Sequence, residues 1–136
     1  MSGKKKVEAL GITLIVFIFA HSIFQTAIIV NSSLPLDVSY QHNSFYSTIG
    51  RVVIVCGLCC FLMGGAGWAR LLLGLFSLFG IFASVIGLFS MSAAGVSILS
   101  PLGLCTVALA AVYLLVIYWL YMDGDVIRHF DPRGGF

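Results

Sequence analysis

The sequence predicts an all-α membrane protein, a bundle of four transmembrane helices running up and down, with both chain ends on the cytoplasmic side. Three observations carry this reading. The chain of 136 residues is 60% hydrophobic and only 9% charged, whereas soluble domains are about a quarter charged. So few charges cannot cover so much apolar surface, so the bilayer must act as solvent for most of it. Four apolar stretches approach the roughly 20 helical residues that a hydrocarbon core of about 30 Å requires. Lys4, Lys5, Lys6, Arg70, Arg128 and Arg133 fall on the cytoplasmic side of a four-crossing chain and Arg51 alone on the other, as the positive-inside tendency expects. Residues 1–136 therefore read as a single membrane domain of a multi-pass protein. The expected location is a plasma membrane or a bacterial inner membrane.

The first crossing, about 7–30, follows a basic head. It is too long for a signal-peptide core and ends in no small-x-small cleavage site. His21 and Gln25 lie at i and i+4 and share one face, flanked by Ser22 and Thr26. Polar groups in a membrane helix face protein or water rather than lipid. The pair serves either as a contact for a ligand such as a lipid headgroup or quinone, or as an interhelical hydrogen bond to Ser77, Ser84 or Thr106.

Residues 31–45 read as the one long outer loop, marked by Pro35 and by Asn/Ser clusters. Tyr40, Phe45 and Tyr46 are candidate interfacial anchors. Asn31-Ser32-Ser33 matches the glycosylation sequon but lies almost on the membrane.

The second crossing, about 46–64, is short. Only about a dozen apolar residues separate Arg51 from the Gly64–Gly67 turn, less than a span needs. The helix is thus expected to begin before Arg51, with that side chain snorkelling to the outer interface; a re-entrant segment is the alternative. This stretch holds Cys56-Gly57-Leu58-Cys59-Cys60, and Cys105 is the fourth cysteine. Thiols deep in apolar surroundings are unreactive. Cys56 and Cys105 share a leaflet, which resembles the pair of quinone-linked thiol oxidases, yet no loop cysteine is present to relay electrons to a substrate.

The third crossing, about 70–91, opens on Trp68-Ala69-Arg70. Trp68 and Arg70, with Trp119 at the end of the fourth crossing, are the expected membrane-interface anchors. Ser77, Gly80, Ser84 and Gly87 recur at +3, +4 and +3 and form a small-residue packing seam. Phe76, Phe79 and Phe82 lie mostly on the other side. Small residues at this spacing let helix backbones approach closely, and the seam meets either its own bundle or another protein. The fourth crossing, about 101–122, begins at Pro101, a residue suited to a first helical turn. The tail, 123–136, is polar and turn-rich and reads as cytoplasmic, with partial disorder at its glycine end.

The chemistry is sparse. Glu8, Asp37, Asp123, Asp125 and Asp131 all fall at helix edges or in loops. Ion-driven transporters keep an ionisable residue in the hydrocarbon region to bind the coupling ion, so the pattern argues against carboxylate-driven export. His21 is the one membrane histidine, whereas a b-type haem needs two axial ligands at matching depth. No cofactor and no metal site is expected. The net charge of +2 gives no basis for nucleic-acid binding. The leading expectation is therefore non-enzymatic: a small accessory or structural subunit of a membrane complex, packing against partner membrane proteins or in a homo-oligomer. The second is a binding or transport module for an apolar or amphipathic molecule, a lipid or quinone, centred on His21 and Gln25. The third is a thiol–quinone redox protein using Cys56.

Overall fold

The computed structural model describes residues 3–31 and 38–130, with the backbone alone for 38–45, and the described chain is entirely helical apart from its turns. The elements are α1 (Gly3–Asn31), α2 (Val38–Met63), α3 (Gly67–Ala93), α4 (Pro101–Met122) and α5 (Gly124–Phe130). The first four are long and apolar enough to cross a membrane, α2 through its portion Tyr46–Met63. Each is packed on its sequence neighbour, and α4 closes on α1. Consecutive helices run antiparallel: Gly11 near the start of α1 lies against Met63 at the end of α2, and Gly74 of α3 against Tyr121 of α4. One end of the bundle, the terminal end, holds Lys6, the α2–α3 turn and α5. The far end holds the close of α1 and the α3–α4 turn.

The α2–α3 and α3–α4 turns are built the same way. Gly65 (φ +84°) follows α2 in the left-handed region, which costs a residue with a Cβ but not glycine. Its N–H donates to Leu62 O and that of Ala66 to Phe61 O, both at 3.0 Å. This is the Schellman pattern that satisfies the last carbonyls of a helix. After α3, Gly95 (φ +73°) repeats it, with Val96 N on Met91 O and Gly95 N on Ser92 O. The start of α4 is fixed by Pro101 in its first turn and by Ser100, whose side chain accepts from Gly103 N at 3.2 Å. A serine in that position satisfies one of the otherwise unpaired N–H groups.

Along the middle of the bundle run Ile18, Val55, Leu62, Leu73, Tyr113 and Leu120, all essentially inaccessible. Phe79, Phe82 and Phe89 of α3 and Val16 and Ile23 of α1 point outward, the arrangement a hydrocarbon solvent permits.

Two expected boundaries are corrected. The outer loop expected over 31–45 is helical from Val38, eight residues before the expected start at 46. Polar composition marked 38–45 as loop, yet that stretch contains neither glycine nor proline, so nothing in it breaks a helix. Arg51 lies within α2, as the length of the crossing required, and α2 is one unbroken helix rather than a re-entrant segment. The sequon, Pro35 and Asp37 lie wholly or partly outside the described residues. The side chains of Tyr40 and Phe45 also lie outside them; Tyr46 is exposed.

The tail is the second correction. Residues 124–130 form α5, which packs on α1 and α4 with Val126 fully buried; the glycine-rich 131–136 lie outside the described residues. Asp123 starts the helix by accepting from Asp125 N (2.9 Å) and Val126 N (3.3 Å). Lys6 Nζ reaches across from α1 to Asp123 Oδ2 at 3.0 Å and Asp125 Oδ2 at 2.6 Å. The hydrogen bonds from Lys6 hold both carboxyls below the usual carboxylate range. The four-residue apolar and aromatic content of the tail, Val126, Ile127, His129 and Phe130, was the signal for a docked helix.

Candidate functional site

Between the far-end halves of the four helices lies a cavity of about 500 Å³. All four helices contribute to it: α1 through His21 and Gln25, α2 through Arg51 and Ile54, α3 through Phe76 to Ser84, and α4 through Thr106, Leu109 and Tyr113. The composition of this slot changes along its length. By position along their helices Ser47, Gln25, Ala83, Ser84 and Thr106 line its far-end portion, His21, Arg51, Phe79 and Leu109 its middle, and Ile54, Phe76 and Tyr113 its inner portion. From Ser47 to Ile54 is seven residues, about 10 Å of helix rise.

His21 is buried at 7% exposure. Its Nε2 lies 3.1 Å from the Cys105 carbonyl oxygen and 3.1 Å from Cys105 Sγ. Because a carbonyl only accepts, the first contact assigns the ring proton to Nε2 and leaves Nδ1 a bare acceptor. Nδ1 is buried and has no hydrogen-bond partner in the protein. The Phe17 ring, 5.8 Å away and tilted by 32°, backs the imidazole from within α1.

Gln25 Oε1 accepts from Arg51 Nη2 at 2.9 Å. The Arg51 Nε is buried with no partner. Among the described residues the acidic groups are Glu8, Asp123 and Asp125, all at the terminal end and engaged by Lys4, Lys6 or Arg128. Among these residues the Arg51 charge is met by a neutral amide oxygen alone.

The expected hydrogen bonds from His21 to Ser77, Ser84 or Thr106 are not made. These hydroxyls donate instead to their own helices, to Leu73 O, Gly80 O and Leu102 O respectively, the usual recourse of serine and threonine inside a helix. Gln25 pairs with Arg51, so the two residues expected to act together engage different neighbours while lining one cavity.

The small-residue seam is taken up largely within the chain. Ser77 and Ser84 are buried, and Gly80 lies so close to the Tyr113 ring that a Cβ would overlap it. Gly87 is different, since a Cβ there meets nothing. Phe76 is not on an outer face with Phe79 and Phe82 but packs edge-on against Tyr113, with centroids 6.3 Å apart at 80°. At the terminal end, Trp68 is half exposed and its ring meets that of Phe61 at 5.0 Å, tilted by 51°. The Arg70 guanidinium lies over the Tyr121 ring at 5.0 Å and the Phe130 ring at 5.8 Å. Trp119 packs partly buried against the core. The four cysteines are free thiols, and Cys105 lies against His21 rather than joined to Cys56. No group of three metal-ligating side chains occurs among the described residues.

Sequence reasoning missed Arg51 as a site residue. The signal was its height: twelve residues back from Met63 is about 18 Å of helix rise, which brings its backbone level with His21 and Gly80 on the neighbouring helices.

Fold and slot together define a small multi-pass helical membrane protein with a polar-headed cavity between its helices. Comparison of the chain with protein-family models, curated proteins and solved structures finds no match.

Proposed function

We propose that this chain is a non-enzymatic membrane protein that binds one amphipathic molecule in the slot between its helices, with its termini in the cytoplasm and the polar mouth of the slot towards the outer leaflet. The polarity gradient along the slot carries this reading. A headgroup lodged near Gln25, Arg51, Ser84 and Thr106 would direct its apolar chain inward, onto Ile54, Phe76, Leu109 and Tyr113. Ligand sites have this composition, mostly apolar and aromatic walls with a few converging polar groups. The orientation rests on the six-to-one division of Lys and Arg.

Ala83 lines the slot from an exposed position on α3, so Ala83→Trp fills the cavity without displacing core. Full-length protein purified in mild detergent is expected to retain an added amphiphile at one per chain, and Ala83→Trp to lose it. Unchanged retention by Ala83→Trp would refute the reading.

A second reading, an accessory subunit of a membrane complex or a homo-oligomer, draws on a different observation. Trp68, Leu72, Leu75, Phe79, Phe82, Ile86 and Phe89 recur at alternating +4 and +3 spacing, and all are exposed along α3. That is the spacing of a helix-packing ridge. Purification in mild detergent with no stoichiometric partner, and as a monomer, would set it aside.

A further inference from the structure

The amphiphile reading leaves open where the occupant comes from, and the rim of the slot narrows it. Among the described residues that line the slot, those exposed on the outside of the bundle all lie on α2 and α3: Ser47 and Ile54 on one edge, Phe79 and Ala83 on the other. The α1 and α4 side is closed, with His21 and Leu109 each at 7% exposure and Tyr113 at 1%. Ser47 and Ile54 are seven residues apart and Phe79 and Ala83 four, so each pair keeps to one side of its helix. The slot is therefore a furrow with α1 and α4 as its floor, open sideways between α2 and α3. At the terminal end the same two helices meet, through the Gly65 turn and the Phe61 and Trp68 rings; the opening lies beyond, towards the far end.

Depth fixes what faces that opening. The Tyr46–Met63 span of α2 has 18 residues, about 27 Å of helix rise. Ser47 to Ile54 takes about 10 Å of it, all in the far-end half, and one leaflet's share of the hydrocarbon core is about 15 Å. The furrow thus runs parallel to the helices within a single leaflet, as acyl chains do. Its inner walls, Ile54, Phe76 and Tyr113, offer a chain apolar contact, and Ser47, Gln25 and Thr106 stand at the head end. The leaflet's own lipids face the opening at a higher concentration than any other amphiphile, and mass action favours them. An enclosed cavity would have to take in a whole molecule; a furrow open along its side takes one chain. We therefore propose, resting on the amphiphile reading, that the occupant is a diacyl lipid of the surrounding leaflet held by one acyl chain. That chain lies in the furrow between α2 and α3, the head stays at the far end, and the second chain remains in the bilayer.

The test is photolabelling of the full chain in phosphatidylcholine vesicles. A trace of the phosphatidylcholine carries a diazirine at the end of one acyl chain, and the adducts are mapped by mass spectrometry after irradiation. Tyr113 and Leu114 are neighbours on α4, 1% and 57% exposed; Tyr113 lines the furrow and Leu114 faces outward. Bilayer chains label Leu114 whatever the furrow holds, so it reports folding and insertion. In the native chain Leu109 and Tyr113 are expected to be labelled as strongly as Leu114. Ala83→Trp is expected to lose the Leu109 and Tyr113 adducts and keep that on Leu114. Excess palmitate is expected to leave all three in place.

Adducts on Leu114 with none on Leu109 or Tyr113 in the native chain overturn the lodged chain. Tyr113 adducts that persist in Ala83→Trp overturn the furrow as its place. Loss of the Tyr113 adduct on adding palmitate assigns the furrow to a single-chain acid and overturns the diacyl lipid. Should Ala83→Trp fail to insert, shown by loss of the Leu114 adduct, the ratio of Tyr113 to Leu114 labelling in the native chain still decides. If the native chain in detergent retains an added amphiphile and Ala83→Trp loses it, while vesicle lipid leaves Leu109 and Tyr113 unlabelled, the amphiphile reading stands and this inference falls. If the amphiphile is not retained either, both fall.

Discussion

Gly80 and Gly87 sit on the same seam of α3, two turns apart, and should respond oppositely to one added methyl group. At Gly80 a Cβ overlaps the Tyr113 ring; at Gly87 it enters open space. The ring cannot easily give way, because Tyr113 is 1% exposed and Phe76 stands against it at 6.3 Å. Glycine to alanine within a helix gains about 0.5–1 kcal/mol at either position. Forcing a methyl group into packed surroundings costs about 1–3 kcal/mol, and only Gly80→Ala incurs that cost. The difference between the variants isolates the packing term, so Gly87→Ala should be the more stable by about 1–3 kcal/mol.

Reversible unfolding in mixed detergent micelles titrated with dodecyl sulfate, followed by tryptophan fluorescence, measures it. The cycle closes with Tyr113→Leu, which removes the ring. In that background Gly80→Ala should turn from a loss into a gain of about 0.5–1 kcal/mol. Equal effects at the two glycines, or a penalty that persists without the Tyr113 ring, would show that the seam does not pack on α4 as described.

The terminal end yields two more. Because Lys6 holds the Asp123 and Asp125 carboxyls below their usual range, the latch contributes at neutral pH and is lost only as pH falls below about 4, the ordinary carboxylate value. Protection of α5 from amide exchange should be level from pH 7 to 5 and fall below that; loss beginning near pH 6, or no change in the doubly substituted Asp123→Asn/Asp125→Asn protein, would contradict it. Gly65→Val places a β-branched residue at φ +84° and should cost about 1–2 kcal/mol or more in the same unfolding assay, whereas Gly67→Ala, with open space at its Cβ, should cost little.

Much of the fold was legible because membrane helices announce themselves through length and apolarity, which need no knowledge of neighbours. The crossings, the Gly64–Gly67 turn and the start of α4 at Pro101 all followed from local chemistry. The residues 38–45 and 124–130 did not, because a helix outlasts its apolar portion and polar composition was read as a loop. His21 and Gln25 were legible as a polar pair on one face, but their partners were not. Those partners come from helices 26 and 84 residues away in sequence, and only packing brings Arg51 and the Cys105 carbonyl to them. Phe76 was misplaced for a related reason: three phenylalanines at +3 spacing drift around the helix, and the first has turned towards α4.

Arg51 and Arg70 show how one side chain type can carry stability in one place and recognition in another. Both have a buried Nε with no hydrogen-bond partner. Arg70, however, lies over the Tyr121 and Phe130 rings, and ring faces attract a guanidinium by about 0.5–2 kcal/mol depending on exposure. Its charge is met within the protein, and it ties α3 to α4 and α5. Among the described residues Arg51 has no ring over it and no acid near it, only the Gln25 oxygen. Removing each charge should therefore have opposite consequences in lipid-free neutral detergent. Arg70→Gln should lower unfolding stability by about 0.5–2 kcal/mol and leave retention of the amphiphile unchanged. Arg51→Gln should leave stability unchanged or raise it, since it removes a charge with no counter-charge among the described residues, while weakening retention of the amphiphile. A site that trades stability for binding in this way is where a stabilising substitution is expected to cost function. A clear loss of lipid-free stability in Arg51→Gln would mean that the Arg51–Gln25 contact holds the bundle together, and that the slot's polarity serves the fold rather than a ligand.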